Sequence, residues 1–362
     1  MVDLRTRIRN RAARRRRLED FRPASQLVAP RTEIARAAFP AVDAHNHLGK
    51  WLTGDGGWML RDVGALLALM DECNISTVVN LDGRCGLDLE DNLDRYDRRH
   101  PGRFVTFCQL DWSSLAAPGS ASQAIAGLVA DLQGAVAAGA RGLKVWKTLG
   151  LHYRDAAGQL VLADDERLDD VWSAAGELGL PILIHSADPV AFFQPLDDTN
   201  ERVEELAVHP DWWFGDTGPS FGRLMEALES VVSRFPATVF IGAHVGCYAE
   251  NLGWVDRMMT DYANFNVDVG GRMAELGRQP RAARRLFEKH PDRVVFGTDE
   301  YPVTAAAYRH WFRFLESEDE YFEYAPGNLV PPQGRWNVHA LGLTPATLEQ
   351  MYAANARRLL RI

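Results

Sequence analysis

The sequence predicts a (β/α)₈ barrel of the α/β class with long loops at its mouth, and two observations lead to that fold. Eight short apolar runs recur along the chain, and six of them are followed by a stretch whose apolar residues repeat every three or four positions. Strands that alternate with helices in this way are typical of a parallel barrel. The predicted strands cover residues 38–47, 76–83, 103–111, 141–147, 181–187, 238–246, 264–271 and 293–300.

The helices are predicted from the same periodicity, and they cover residues 61–73, 121–139, 165–179, 221–235, 251–263 and 280–290. A doubly wound open sheet is the competing fold. That fold normally carries a Gly-rich phosphate loop after its first strand, and none is present here. Two connections, 185–220 and 301–342, are long and rich in aromatic residues. Long loops after barrel strands usually cover the mouth, so both are candidate walls of a substrate pocket.

Composition separates the chain into an arm and a barrel. Eight arginines and no acidic residue lie between Arg5 and Arg17, whereas the whole chain carries a net charge of −9. We therefore predict an arginine-rich arm over residues 1–35 and a barrel over residues 36–362. The arm is expected to be solvated, with contact to a partner subunit or an anionic surface as the alternative. The acidic body disfavours nucleic-acid binding.

Cysteine usage and hydropathy bear on the compartment. The four cysteines are widely spaced and form no CxxC pair, a pattern that suits a reducing compartment. No apolar run approaches the length needed to cross a bilayer, and no membrane contact is expected. The sequence therefore predicts a cytoplasmic protein.

The first predicted strand carries the strongest chemical signal. Asp43, His45 and His47 alternate by two in the run DAHNH. Because a strand places alternate residues on one face, we expect all three side chains to point into the barrel. Two histidines on one buried face repel each other when they are protonated. A metal ion removes this conflict, because it binds the lone pairs of neutral imidazoles.

Three more polar residues end later predicted strands. His185 follows PILI, His244 follows FIGA and Asp299 follows VVFGT. Barrel enzymes build their active sites at the carboxyl ends of the strands, so these side chains are expected to meet at the mouth. Alternation puts His244 on the same face as Phe240 and Gly242.

Cationic side chains at other strand ends are candidate substrate contacts. Alternation in RGLKVWK turns Lys144 inward, where it either forms a carbamate that bridges two metals or binds an anionic substrate as an ammonium. Lys147 opens the following loop and suits the second role. Arg84 and Arg272, after the second and seventh strands, are candidate carboxylate clamps. Aromatic residues near the predicted mouth suggest a flat or ring-bearing substrate. These residues are Trp51, Trp58, Trp112, Trp146, Trp212 and Trp213. Among them, Trp112 is a predicted substrate contact.

Taken together, these residues resemble the amidohydrolase superfamily. The resemblance is closest to the amidohydrolase-related branch that includes aminocarboxymuconate semialdehyde decarboxylase and several lactone hydrolases. It rests on HxH in the first strand, His185, His244 and Asp299, and the closing MYAANARRLL is similar to the helix that ends many of these barrels. It covers residues 38–362.

The resemblance implies a ligand set and a cofactor. His45, His47, His185 and Asp299 would bind one divalent metal ion, usually zinc, and His244 would act on water or substrate. Many relatives with two metals use a carbamylated lysine on the fourth strand, and Lys144 stands at that place.

Hydrolysis is the main functional expectation from the sequence. Zinc lowers the pKa of bound water from 15.7 to about 7. The activated water would attack a lactone, ester or amide. The substrate is expected to be small, and to be aromatic or to bear a carboxylate. Asp299 would shuttle the proton and His244 would stabilise the oxyanion.

The alternative is a metal-dependent non-oxidative decarboxylase, in which Lys147, Arg84 or Arg272 grips the carboxylate. A non-catalytic ligand-binding barrel is disfavoured because no ligand residue is missing. A homodimer stays open.

Overall fold

The structure is a computed structural model that describes residues 17, 25–50, 53, 55–117, 120–215, 218–328 and 330–362. The chain divides into a short unit, Met1–Pro30, and a large unit, Arg31–Ile362. The predicted arginine-rich segment, apart from Arg17, lies outside the described residues, so the arm stays a prediction.

Eight parallel strands follow one another in chain order in the large unit. They are β1 (Ala41–Asn46), β2 (Ile75–Asn80), β3 (Phe104–Thr106), β4 (Leu143–Val145), β5 (Ile182–Ile184), β6 (Phe240–Gly242), β7 (Phe265–Asp268) and β8 (Val294–Val295). β1–β3 form one sheet and β4–β8 another. Hydrogen bonds join the two sheets at both seams, since Lys144 N donates to Cys108 O over 2.8 Å and Ala44 N donates to Phe296 O over 2.9 Å. The predicted (β/α)₈ barrel is confirmed, with strands shorter than the apolar runs that predicted them.

The helices cover the outside of the barrel and extend its mouth. They are α1 (Val63–Cys73), α2 (Gly86–Leu93), α3 (Ala121–Ala138), α4 (Asp169–Glu177), α5 (Val203–Val208), α6 (Phe221–Arg234), α7 (Leu252–Asp261), α8 (Met273–Arg278), α9 (Pro280–Lys289), α10 (Ala305–Glu316), α11 (Pro345–Glu349) and α12 (Asn355–Leu360). All six predicted helices are present. Those that the periodicity did not predict are short or belong to the long connections. Two short strands, β9 (Phe322–Glu323) and β10 (Asn337–Val338), pair in the connection after α10.

Two layers of apolar side chains hold the barrel together. The inner layer is a buried cluster to which six strands contribute, including Val42, Leu183 and Val295, and helix α12 adds Leu359 and Leu360 to it. Because α12 is the only outer element in this cluster among the described residues, it plugs one end of the barrel. A larger cluster fills the space between the strands and the surrounding helices. The open end of the barrel is therefore the carboxyl end of the strands.

The strand β1 is irregular, and this corrects the predicted alternation of Asp43, His45 and His47. The register of β1 against β2 shifts between Asp43 and Asn46. The carboxylate of Asp43 accepts hydrogen bonds from Thr298 N over 2.9 Å and from the hydroxyl of Tyr308 on α10 over 3.0 Å. Asp43 therefore lies against the helical layer and not in the barrel with the two histidines, because the irregularity breaks the period of two.

The long connection after β5 forms one wall of the mouth, as predicted, and ion pairs tie it to neighbouring segments. These pairs are Glu201 with Arg278, Arg202 with Glu275, and Glu204 with Arg335. Arg202 and Glu275 are both almost fully buried. Removing Arg202 would leave the buried carboxylate of Glu275 without its cation, so this pair helps to hold the wall in place.

Membrane insertion has no support among the described helices. None of them combines the length and the apolar character that a bilayer span requires.

Gly297 is packed so closely against His45 that a methyl group has no room. A Cβ at this position would lie 2.7 Å from Cβ of His45. We expect Gly297→Ala to lower the free energy of unfolding by about 1–3 kcal/mol, because overpacking forces the neighbours to shift. Urea denaturation measures this change.

Gly134→Ala is the matched control. Gly134 lies on α3, and an added Cβ would meet nothing within 4 Å. Alanine there should raise stability by about 0.5–1 kcal/mol, since glycine is the poorer helix former. A Gly297→Ala protein that is as stable as the parent would contradict the tight packing behind β1.

Candidate metal centre

His45, His47 and Asp299 meet at the open end of the barrel. Nε2 of His45 lies 3.5 Å from Oδ1 of Asp299, and Nε2 of His47 lies 3.4 Å from the same oxygen. Both imidazoles are almost fully buried, at 1% and 3% exposure. Three of the predicted ligands therefore present donor atoms to one point, from the first and the eighth strand of the barrel.

Two buried aspartates hold the imidazoles in this orientation. Nδ1 of His45 lies 2.9 Å from Oδ2 of Asp268, and Nδ1 of His47 lies 2.8 Å from Oδ1 of Asp82. A carboxylate on one ring nitrogen is the usual partner of a metal-binding histidine, because it fixes the tautomer and leaves the other nitrogen as a lone-pair donor. The sequence reasoning missed both aspartates. Their signal was available, since each stands at or just after the end of an apolar strand, in NLDG and NVDV.

This arrangement brings together more acceptors than donors. With Nδ1 of each ring at a carboxylate, each Nε2 faces the Asp299 carboxylate, and a lone pair there repels the carboxylate unless a proton or a metal ion lies between them. Burial opposes protonation, but Asp82 and Asp299 raise the pKa of His47 to about 9. Burial disfavours the Asp299 anion, yet the charge of His45 and the hydrogen bond with His47 hold the pKa of Asp299 well below its usual range. The electrostatics of these residues favour positive charge at their centre.

His185 supplies the clearest fit to a metal ion. It is 6% exposed, and neither ring nitrogen has a hydrogen-bond partner among the described residues. Oδ1 of Asp188 lies 3.3 Å from Nε2, but outside hydrogen-bonding geometry. Burial lowers the pKa of His185 to about 4, so the ring is neutral. A buried neutral imidazole without a partner is costly by itself, and coordination would satisfy it.

His244 reaches the site by a different route from the one that the alternation predicted. The strand β6 ends at Gly242, and His244 and Val245 adopt left-handed conformations, with φ of +57° and +61°. Phe240 belongs to the outer apolar layer, so the prediction that it shares a face with His244 in one strand is wrong. The left-handed turn carries His244 over the barrel mouth. There its ring, the ring of His45 and the carboxylate of Asp299 place ligand atoms within 4.8 Å of one another.

The tautomer of His244 follows from its partner. Nδ1 lies 2.8 Å from the carbonyl oxygen of Gly270, which can only accept, so Nδ1 carries the proton. Burial and the nearby charge of Arg272 lower the pKa of His244 well below its usual value. His244 is therefore a neutral imidazole, and its Nε2 is an acceptor.

The two predicted lysines have different environments. Nζ of Lys144 lies 3.5 Å from Nε2 of His45, and burial lowers the pKa of Lys144 to about 8 although Asp268 and Asp299 act in the opposite direction. The lysine thus adjoins the metal ligands, as predicted from alternation. Lys147 lines the mouth cavity, but its ammonium is paired with the carboxylate of Asp188.

A cavity of about 460 Å³ opens above these groups, and Arg272 projects into it. Arg272 is buried, with 8% exposure, and among the described residues it forms no ion pair and one hydrogen bond, from Nη1 to the adjacent carbonyl of Gly271 over 3.0 Å. Aromatic rings form much of the remaining wall, from Trp146, Phe192, Trp212 and Tyr301. Burial disfavours the charged form of Arg272, but the more distant charges of Glu275 and Glu250 raise its pKa. The cavity thus offers a guanidinium with no directly bonded carboxylate beside flat apolar surfaces.

Two predicted substrate contacts do not line this cavity. Arg84 is exposed and its guanidinium faces Gln109, and Trp112 packs in the core against the ring of Trp172. The strand end before each of them is correctly placed, but the side chain turns away from the mouth. Of the other tryptophans, Trp58 stacks with Lys50 and Arg95, Trp213 bonds to Gln194 O, and Trp51 lies outside the described residues.

The family model described as "Amidohydrolase" matches residues 42–362 of this chain. No match is found among curated proteins. Among solved structures, the chain is similar to 2,6-dihydroxybenzoate decarboxylase from Rhizobium, with 20% identity, a TM-score of 0.59 and coverage of 89% of this chain and 99% of that one.

Two further structures were solved with a metal ion. One is a dihydroxybenzoic acid decarboxylase from a Polaromonas species with bound manganese, at 15% identity, a TM-score of 0.56, and coverage of 89% and 97%. The other is an amidohydrolase from Burkholderia multivorans with bound zinc, at 14% identity, a TM-score of 0.51, and coverage of 89% and 99%. At these identities the likeness concerns the barrel fold.

The aspartates behind the histidines should tune metal affinity. We expect Asp82→Asn to weaken metal binding by about 10–100-fold, because the amide removes the negative charge that orients His47. Competition with a chromogenic chelator measures the affinity.

The unaltered protein should hold about one ion per chain by elemental analysis, and a value near two would indicate a second ion on a carbamylated Lys144.

Asp97→Asn is the control for this substitution. Asp97 is a largely buried carboxylate that accepts from the backbone and hydroxyl of Thr106, and it does not line the mouth cavity. Its replacement should leave metal affinity unchanged. Equal effects of the two substitutions would mean that Asp82 acts only through stability.

Proposed function

This chain belongs to the amidohydrolase family, and we propose that it is a metal-dependent non-oxidative decarboxylase that acts on a ring-bearing carboxylic acid. The observation that carries the proposal is Arg272, a buried guanidinium without an ion pair among the described residues, next to a neutral His244 in the metal-site cavity. The charges of Glu275 and Glu250 stabilise this guanidinium from a distance, but most of its N–H donors stay open to the cavity, and a guanidinium binds a carboxylate through paired hydrogen bonds.

The residues at the barrel mouth fit one divalent ion. His45, His47, His185 and Asp299 would hold it, and three imidazoles with one carboxylate suit zinc. Manganese and zinc are bound in two of the similar structures. A divalent ion at this point supplies Lewis-acid polarisation of a substrate oxygen.

The chain's own residues then bind and orient the substrate. Arg272 grips the carboxylate, and the rings of Trp146, Phe192 and Trp212 pack against the flat part of the molecule. Three cationic side chains were predicted to grip the carboxylate, and Arg84 does not line the cavity. Lys147 is already neutralised by Asp188, so Arg272 is the best of the three. This places the carbon that bears the carboxylate near His244.

His244 moves the proton in this proposal. Its Nδ1–H stays bonded to Gly270 O, and Nε2 takes up a proton from solvent water in the cavity and passes it to the ring carbon. The bond from that carbon to the carboxylate breaks, a C–H bond replaces it, and carbon dioxide leaves. Oδ2 of Asp299, 3.9 Å from Nδ1 of His244, stabilises the imidazolium while it exists.

Hydrolysis of a lactone, ester or amide is the second candidate. The complete HxH pair and the buried Lys144 beside His45 favour it, as does the zinc-bound amidohydrolase among the similar structures. In a hydrolase, His244 was expected to donate a hydrogen bond to the oxyanion. At rest its Nε2 is an acceptor, so His244 has to gain a proton before it acts in either reaction, and its tautomer does not separate the two. The similarity to two decarboxylases supports the decarboxylase.

Product analysis decides between the two reactions. Zinc-loaded and manganese-loaded protein should release trapped carbon dioxide from hydroxybenzoic acids and leave lactones and amides intact. Asp299→Asn should lower this rate by at least about 10²-fold, since the ligand and its charge are lost, with an unchanged circular dichroism spectrum. Lactone hydrolysis without release of carbon dioxide would establish the hydrolase instead.

Arg272 should determine carboxylate affinity. We expect Arg272→Gln to weaken benzoate binding by roughly 10–100-fold, the effect of losing about 1.5–3 kcal/mol of charged hydrogen bonding. Arg84→Gln is the matched control, because Arg84 is exposed and does not line the cavity. Titration calorimetry measures both. If the two substitutions act equally, Arg272 is not the carboxylate grip.

A further inference from the structure

A second cavity of about 350 Å³ adjoins the metal-site cavity, and we call it the annex. The two share Gly271, Glu300 and Gln333 as lining residues. Gly271 immediately precedes Arg272, so a molecule whose carboxylate is held by Arg272 has the entrance of the annex beside it.

The inner walls of the annex are apolar. Ala306 and Ala307 on α10 face Met273 and Ala274 on α8 across it, and Trp311 contributes an almost fully buried ring. Among the described residues that line the annex, Glu300 at the shared rim is the only acidic group, and there is no lysine or arginine. These walls offer an anion or a cation no partner beyond the rim.

Two polar groups of the annex wall, on Tyr324 and His310, are already hydrogen-bonded. The hydroxyl of Tyr324 accepts from Gln333 N over 2.8 Å and from Gly334 N over 3.0 Å. Nε2 of His310 donates to Tyr324 O over 3.1 Å. With these atoms occupied, the rings of Tyr324 and His310 are left to make apolar contacts. The annex therefore suits an uncharged, flat or alkyl group.

The volume of the annex and its position beside Arg272 indicate which part of a substrate it can hold. An apolar cavity of about 150 Å³ is large enough for benzene, so the annex accommodates a ring of that size. Another apolar cavity, of about 420 Å³, lies on the opposite side of the metal centre, but it shares only His47 with the metal-site cavity. The ring of His47 is committed to Asp82 and to the metal centre, so that second route is not open beside Arg272.

We propose that the substrate is longer than a single ring, with a carboxylate-bearing ring in the metal-site cavity and an uncharged aryl-sized group in the annex. This inference rests on the proposed function, because it uses Arg272 as the carboxylate anchor. The annex thereby determines specificity for extended aromatic acids over compact ones.

The test compares binding of three probes to zinc-loaded protein by titration calorimetry, namely benzoate, 3-benzylbenzoate and 4-benzylbenzoate. At least one benzylbenzoate should bind ten times more tightly than benzoate, because its second ring is buried in the annex. Ala306→Trp fills the annex, and it should reduce that advantage to less than threefold while benzoate affinity stays within twofold. Ala307→Phe is a second filling variant, used if Ala306→Trp does not fold.

Ala65→Trp is the matched control. Ala65 is an exposed alanine on α1 that lines the opposite apolar cavity, just as Ala306 is an exposed alanine on α10 that lines the annex. This variant should keep the full preference for the benzylbenzoate. Loss of the preference in Ala65→Trp and its retention in Ala306→Trp would overturn the annex and place the second ring on the other side.

The remaining outcomes separate this inference from the proposed function. Benzoate that binds with neither benzylbenzoate binding more tightly overturns the annex alone. A protein that binds none of the three probes at millimolar concentration overturns the carboxylate anchor, and the annex with it.

Discussion

The architecture of the mouth depends on one electrostatic constraint: buried acceptors outnumber the donors that face them. Asp82 and Asp268 each bind Nδ1 of a histidine, so Nε2 of both imidazoles faces the carboxylate of Asp299. Bringing these groups to one point is unfavourable in a medium of low polarity unless a proton or a metal ion lies between them. The unpartnered ring of His185 adds a further acceptor of the same kind. The candidate metal ligands and the two carboxylates behind the first two histidines therefore come from five strand ends.

The backbone contributes strain where the strands end. His244, Val245 and Asp299 have φ values of +57°, +61° and +58°, and a β-branched residue such as Val245 rarely adopts this conformation. Each such residue costs on the order of 1–3 kcal/mol, which the surrounding packing has to offset. The inner apolar cluster and the plug formed by α12 supply that packing. In return, the turns direct His244 and Asp299 across the mouth, where straight strands would have pointed them elsewhere.

The cavity above the ligands divides its charges unevenly. Lys147 is paired with Asp188, and Arg202 is paired with Glu205 and Glu275, so these cations serve the wall. Arg272 forms no ion pair among the described residues, and it faces a neutral His244. In our proposal, the carboxylate of the substrate binds at Arg272, and its uncharged group binds in the annex close by.

Much of this organisation follows from local sequence, because the period of apolar residues and the polar residues at strand ends are properties of a few neighbouring positions. They determined the eight strands, the six outer helices and the placing of His45, His47, His185, His244, Asp299 and Lys144 at one end of the barrel. Only the tertiary structure decided which way a side chain turns once a strand becomes irregular or ends. Against the sequence-based expectation, Asp43 lies at the helical layer, Trp112 in the core and Arg84 at the surface. Asp82 and Asp268, which the sequence analysis did not select, lie behind the histidines. The physical reason is that these outcomes depend on contacts between residues far apart in the chain, which a pattern of period two or 3.6 does not contain.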